Sequence, residues 1–307
     1  MSAGAFPSAV HIREVGPRDG FQNEPEVIST VDKVRLIEQL ARTGLRRLEV
    51  TSFVRPDVIP QLADAAAVLE AIQLPDDVSV SVLVPNERGL DNALHHRDRI
   101  HEINVFLSAS ETHNRKNVNR SIAESLDGVS QVLERARAEG LRCEGVISTA
   151  FGCPYEGWVD PERVVSIARS LVDAGAQEVG FGDTTGMANP RQVGELFARW
   201  REALPGVELT AHFHNTRGQG LANVLAALHA GVVSFESSFG ELGGCPVPAG
   251  ATGNIATEDL VSMLEEMRIA TGVDLPALIV ASGMVADVLG RPLGSHTLVA
   301  GPVEWRR

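Results

Sequence analysis

The chain has 307 residues, 44% hydrophobic and 22% charged, an ordinary composition for a folded globular protein. Its net charge of −13 argues against nucleic acid or an anionic membrane as partner, because both demand basic surfaces. Three cysteines at scattered positions, Cys143, Cys153 and Cys245, do not suggest a disulfide framework.

In chain order, the sequence alternates strand and helix signals. Strands are expected at Val10–Val15, Arg46–Ser52, Val78–Val84, Ile100–Leu107, Leu141–Thr149, Glu178–Gly182, Val207–His214 and Val232–Ser237. Each is short and rich in Val, Ile, Leu or Phe, as a strand covered on both faces should be. Helices are expected at Thr30–Thr43, Ser121–Ala138 and Pro161–Ala174, the last with Asp160 as N-cap and Pro161 at its first position. Gly44, Gly140, Gly175 and Gly231 each close a helix just before a strand, where glycine fits a left-handed C-terminal cap. His113–Arg120 reads as a basic solvated loop. Eight such units predict an α/β fold, a TIM (β/α)8 barrel with extra C-terminal helices. The barrel domain is expected over residues 8–290, with those helices from about 274, and 291–307 as an irregular tail. The N-terminus lacks a basic, apolar signal pattern, and the uncharged run Leu275–Ala286 holds Pro276 and is too short to span a bilayer, so the chain reads as cytoplasmic.

Active sites of such barrels lie at the C-terminal ends of the strands. There the sequence puts Arg18 and Asp19 in Gly16-Pro-Arg-Asp-Gly20, Glu49, Asp183, His212 and His214, and, in the glycine-rich loop after the last strand, Cys245 and Asn254. His212 and His214 are two apart on a strand and face the same way. With Asp19 and Asn254 they form a mixed nitrogen–oxygen set suited to Mg²⁺ or Mn²⁺, while two histidines and a carboxylate also suit non-haem Fe²⁺. Arg18 can stabilise a developing enolate oxygen, with Glu49 as its partner. Asp183 is either a cap or a catalyst. Cys245, between glycines and a proline, is a candidate acid or base, whereas Cys143 and Cys153 read as structural.

These residues also carry a resemblance. Val15–Glu24, Glu49–Phe53, Gly152–Gly157, Gly182–Gly186, His212–His214, Leu242–Pro246 and Gly250–Asp259 resemble the 3-hydroxy-3-methylglutaryl-CoA lyases over nearly the whole chain. The resemblance implies Asp19, His212, His214 and Asn254 as metal ligands, Arg18 and Gln22 as substrate contacts, and Arg18, Cys245, His212, Asp183 and Glu49 as the catalytic set. Glu258 is implied as a supporting residue. It further implies a Mg²⁺ or Mn²⁺ cofactor, an acyl-CoA substrate and a homodimer or higher homo-oligomer. His212 or Cys245 would act as base and Cys245 as acid. Asn215 stands where the family pattern has aspartate, Arg217 where it has tyrosine, Gly180 where a small polar residue is common, and Gly240-Glu241 where Ala-Gly precedes the leucine of the cysteine loop. Those departures point to a substrate other than the methyl compound. The alternatives are a Claisen-condensing acyltransferase of the isopropylmalate synthase type and a weakly catalytic CoA-thioester-binding protein.

Overall fold

The computed structural model describes residues 6–244 and 253–305. Eight parallel strands close into a barrel in sequence order: β1 (His11–Glu14), β2 (Arg47–Ser52), β3 (Ser79–Leu83), β4 (Glu102–Ser108), β5 (Arg142–Ser148), β6 (Glu178–Asp183), β7 (Glu208–Phe213) and β8 (Ser234–Ser237). Closure comes from β8 pairing with β1, from His11 opposite Ser234 to Glu14 opposite Ser237. Around it stand α1 (Thr30–Arg42), α2 (Ala65–Ala71), α3 (Glu87–Leu94), α4 (Glu111–Val118), α5 (Ile122–Ala138), α6 (Pro161–Asp173), α7 (Pro190–Ala203) and α8 (Gly220–His229). Then come α9 (Thr257–Glu266), α10 (Leu275–Leu289) and α11 (His296–Ala300). The TIM barrel expected from the sequence is therefore present.

Local chemistry sets the helix ends. Ser121 and Glu124 form a reciprocal capping box at α5, and Asp160 accepts from Glu162 N–H before Pro161 at α6. Gly44, Gly140, Gly175 and Gly231 all take left-handed φ, at 96°, 76°, 113° and 84°. Two stretches differ from expectation. Glu111–Val118 is a helix rather than a loop, started by Ser110 accepting from His113 N–H. Residues 291–307 are not wholly irregular, because Ser295 and the Asp259 carboxylate collect the first amides of α11. No helix among the described residues is long and apolar enough to cross a membrane.

Between strands and helices lies an apolar shell in which Leu36, Ile37 and Leu40 of α1, Val132 and Leu133 of α5, and Val164 and Ile167 of α6 are buried. Each such side chain contributes about 1.5–3 kcal/mol by leaving water. Trp200 of α7 stacks on Phe181 of β6 at 4.2 Å between ring centroids.

The inner face of the barrel is charged, not apolar as the strand composition suggested. Arg13 on β1 reaches across to Glu144 on β5, and ion-pairs with Glu236 on β8 at 2.9 Å, Glu178 on β6 at 3.2 Å and Glu102 on β4 at 3.3 Å. Arg47 pairs with Glu102 at 2.7 Å and Glu178 at 2.5 Å, and Arg142 with Glu178 at 3.0 Å and Glu208 at 2.6 Å. Burial pushes the Glu144 carboxyl up, against the pull of Arg13. A buried ion pair adds little net stability, but losing one partner strands the other in low dielectric.

Arg13→Ala leaves four carboxylates without their shared cation. It should lower unfolding free energy in urea by about 3–5 kcal/mol. A loss under about 1 kcal/mol would show that the layer holds itself without Arg13.

Candidate metal and active site

Above the charged layer, the β1 chain turns through a five-residue π-helical turn, Gly16–Gly20. Close packing requires the glycines: a Cβ on Gly16 would lie 2.4 Å from the Phe239 ring, and one on Gly20 2.8 Å from Leu242 Cβ. The turn carries Arg18 and Asp19 to the barrel mouth. Asp19 is bonded through both oxygens: Oδ1 accepts from Arg18 at 2.7 Å and Gln22 at 2.8 Å, and Oδ2 accepts from Asn254 Nδ2 at 2.8 Å. Gln22, expected against substrate, thus holds Asp19.

β7 delivers the histidines. The ligand atoms of Asp19, His212 and His214 all lie within 4.8 Å of one another, a group able to hold a metal ion. The two Nε2 atoms are 3.1 Å apart, and His212 Nδ1 lies 2.9 Å from Glu236 Oε2. Burial opposes charge on both rings, yet the Glu236 hydrogen bond raises His212, while burial and the neighbouring His212 push His214 down to about 3. The Nε2–Nε2 contact needs a proton on one of the two rings, and the opposite shifts favour His212 over His214 as its holder. Asp19 stays ionised: burial would raise it, but Arg18 and His212 hold it below the usual carboxylate range. Asn254 is paired with His214 across a short antiparallel bridge, and its Oδ1 is buried with no hydrogen-bond partner among the described residues. Two imidazole nitrogens, a carboxylate and an orphaned amide oxygen together fit a hard or borderline divalent cation.

Arg18 is fixed from its other side by Glu49, Nη2 to Oε2 at 2.7 Å, and Asn104 of β4 donates to Glu49. Burial would lower Arg18, but Glu49 and Asp19 hold it above its ordinary value. Its Nε is buried without a hydrogen-bond partner among the described residues, and can donate to a ligand. Asp183 ends β6. Its Oδ1 caps the following turn, accepting from Met187 N–H at 2.7 Å and Ala188 N–H at 3.0 Å, while Oδ2 is buried and unpartnered among the described residues. Burial pushes this carboxyl up to about 7. The cap and the candidate catalyst are thus two oxygens of one side chain.

Other expected residues fall elsewhere. Glu258 does not touch the ligand set; it accepts from Gly240 N–H at 2.9 Å and from Ser282, behind the turn that leads toward Gly243. Cys245 lies outside the described residues. Cys143 and Cys153 are buried free thiols; burial pushes Cys143 up to about 12, and Cys153 donates to Ser110 Oγ at 2.9 Å. Arg217 donates to the Thr185 and Gly186 carbonyls at 3.0 and 2.7 Å, and Asn215 to Glu241 at 2.7 Å. These departures from the family pattern therefore bond to loop groups and not directly to a ligand atom of the set. Gly180 has a steric cause: a Cβ there would lie 2.9 Å from Glu144 Oε1.

Sequence reasoning missed Glu236, which orients His212, and Asn104, which holds Glu49. The available signal was a charged or amide residue inside an otherwise apolar strand.

The chain can now be set beside known proteins. Residues 9–285 match the HMGL-like family model. The chain is 47% identical over 293 residues to the hydroxymethylglutaryl-CoA lyase of Bacillus subtilis, covering 95% of this chain and 97% of that protein. It is 42% identical over 295 residues to the 3-hydroxy-3-isohexenylglutaryl-CoA/hydroxy-methylglutaryl-CoA lyase of Pseudomonas aeruginosa, covering 96% and 98%. The structure of an HMG-CoA lyase from Acinetobacter baumannii in complex with coenzyme A and 3-methylmalate superposes with a TM-score of 0.92 at 40% identity, covering 97% of each chain. The chain belongs to the HMGL-like family and is a carbon–carbon lyase of the hydroxymethylglutaryl-CoA lyase type.

Behind the site, burial raises Glu14 to about 7 and Glu258 to about 8 from an ordinary value of 4.5. Raised carboxyls stabilise the fold while protonated. That contribution is complete below about pH 4.5 and is lost as pH rises through about 7–8. Glu258→Gln keeps the neutral form, so its Tm relative to wild type should be higher at about pH 8.5 than at about pH 5. An equal difference at both pH values would contradict the assignment.

Proposed function

We propose that this lyase cleaves 3-hydroxy-3-methylglutaryl-CoA, or a related 3-hydroxy-3-substituted glutaryl-CoA, into acetyl-CoA and a 3-keto acid, in a reaction dependent on Mg²⁺ or Mn²⁺. The observation that carries the proposal is the meeting of Asp19, His212 and His214, with Asn254 bonded to Asp19, beside an arginine already clamped by Glu49. Acetoacetate would be the keto acid from the methyl substrate. A divalent cation held by these four residues supplies Lewis acidity toward the substrate's tertiary hydroxyl and free carboxylate.

The chain's own residues do the remainder. A base removes the proton of the tertiary hydroxyl. His212 is committed on both nitrogens, to Glu236 and toward His214. Asp183, with one unpartnered oxygen and a pKa near 7, suits that role better among the described residues. As the oxygen becomes a carbonyl, the bond from C3 to the thioester-side methylene breaks and its electron pair passes into the enolate of acetyl-CoA. Arg18 is placed to stabilise that oxyanion through Nε, since its terminal nitrogens already serve Glu49 and Asp19. Cys245 is proposed as the acid that delivers a proton to the enolate carbon.

The same site argues against the two alternatives. A condensing transferase must hold a second acyl acceptor, and the named relatives are lyases. A mere thioester binder would have no use for a near-neutral carboxyl beside a metal-competent triad. For the acyl branch, the Pseudomonas relative is named for both the isohexenyl and the methyl substrates, so both belong in a test.

The test is acetyl-CoA release from the methyl and isohexenyl thioesters, before and after chelation and after return of Mg²⁺ or Mn²⁺. Chelation should abolish activity and either metal should restore it. Asp19→Ala should weaken metal binding about 10-fold or more. Cys245→Ala should lower kcat by ~10²–10⁴ with KM little changed, and should retain its metal. Full activity after exhaustive chelation would refute metal dependence, and wild-type kcat in Cys245→Ala would remove the thiol from proton transfer.

A further inference from the structure

Three stretches of chain are laced together at the barrel mouth: 213–215 after β7, 241–243 after β8, and 253–255 before α9. Ile255 N–H donates to Phe213 O at 3.1 Å, and Asn215 N–H to Gly253 O at 3.0 Å, so His214 and Asn254 sit opposite each other in a two-stranded clip. Asn254 Nδ2 ties the clip to Leu242 O at 3.1 Å. The backbones of the second and third stretches nearly touch, since a Cβ on Gly253 would lie 1.8 Å from Gly243 O. The remaining side, from 213–215 to 241–243, is spanned by Asn215 Nδ2 donating to Glu241 Oε1 at 2.7 Å.

We propose that Asn215 and Glu241 are a positioning pair that fixes His214 and Asn254 as metal ligands. The residue types fit that task closely. Asn215 uses both ends of its amide, the oxygen accepting from Gly220 N–H at 3.3 Å at the start of α8 and the nitrogen reaching Glu241. An aspartate there could keep the first bond but would set a second carboxylate against Glu241. Glu241 takes a left-handed φ of 62°, a conformation glycine adopts freely and glutamate does not. Such strain persists only where surrounding contacts determine it, and this side chain is bonded through one oxygen and closely packed at the other. Oε1 accepts from Asn215, and Oε2 lies against the Gly294 backbone so closely that a Cβ there would be 1.8 Å away. Both positions depart from the family pattern quoted above, and they depart toward each other.

The test uses the full chain stripped of metal, with two readouts: Mn²⁺ affinity by titration calorimetry, and hydrogen exchange of the Asn215 and Ile255 amides, which needs no metal. Asn215→Asp should weaken Mn²⁺ binding on the order of 10-fold, as disturbing residues that orient metal ligands does, and should speed both amides. Glu241→Gln keeps the accepting oxygen and should keep affinity. The double variant Asn215→Asp/Glu241→Gln restores a donor–acceptor pair and should recover most of the loss, a rescue that a general packing defect would not show. If Asn215→Asp fails to fold, Glu241→Ala removes the acceptor and should likewise loosen both amides and weaken Mn²⁺. Unchanged affinity and exchange in Asn215→Asp, or in Glu241→Ala where that stands in, would overturn the pair, as would a double variant no better than Asn215→Asp. The inference rests on the metal reading above: a wild-type chain that fails to bind Mn²⁺ would overturn that reading, while the exchange rates would still decide whether Asn215 and Glu241 hold the clip.

Discussion

The Glu236 carboxylate joins two systems, the ion network inside the barrel and the histidine pair at its mouth. One oxygen accepts from Arg13 at 2.9 Å, on the floor of charges that fills the barrel, and the other faces His212 Nδ1 at 2.9 Å, at the floor's upper edge. Burial alone would make this carboxyl reluctant to ionise, but the His212 hydrogen bond and Arg13 pull it down to about 2. It is therefore an anion near neutral pH. A fixed anion at Nδ1 determines the tautomer and orientation of the imidazole, leaving Nε2 aimed at His214 and Asp19. The ligand geometry is inherited from below, from an ion network that spans the barrel.

That arrangement explains why a barrel interior that gains little stability from its charges still carries them. Ion pairs buried this deeply roughly break even against apolar packing. What they supply, through Glu236, is a negative charge that favours the charged forms of His212 and Arg18. Glu49 shows the balance: burial raises it, and Arg18 only partly offsets this. Asp183 has no cation in direct contact and drifts to about 7, the range useful for proton transfer. Charge pairing separates the residues that must stay charged from the one that can exchange a proton.

The sequence showed much of this. All eight strands, the glycine caps and the convergence of Asp19, His212, His214 and Asn254 followed from periodicity, turn chemistry and the rule that barrel sites form at strand ends. What it hid was lateral. Arg13, Glu102, Glu144, Glu178 and Glu236 are isolated charges in strands that read as apolar, and only barrel closure brings them together. Gln22 and Glu258 were placed near the site, but which neighbour each would bond depended on how two turns packed, which composition does not encode. The helix Glu111–Val118 was obscured by its polar composition, and its start depends on Ser110, outside the basic run. Asn215 and Glu241 were visible as departures from a pattern, yet their contact across 26 positions was not.

The central claim is that Glu236 sets the metal site through His212. The most direct measurement is the Mn²⁺ affinity of Glu236→Ala against wild type, both metal-stripped and shown folded by circular dichroism. The account predicts a loss of about 10–100-fold, the range seen when the carboxylate behind a metal-binding histidine is removed. Affinity equal to wild type in a folded Glu236→Ala protein would contradict it.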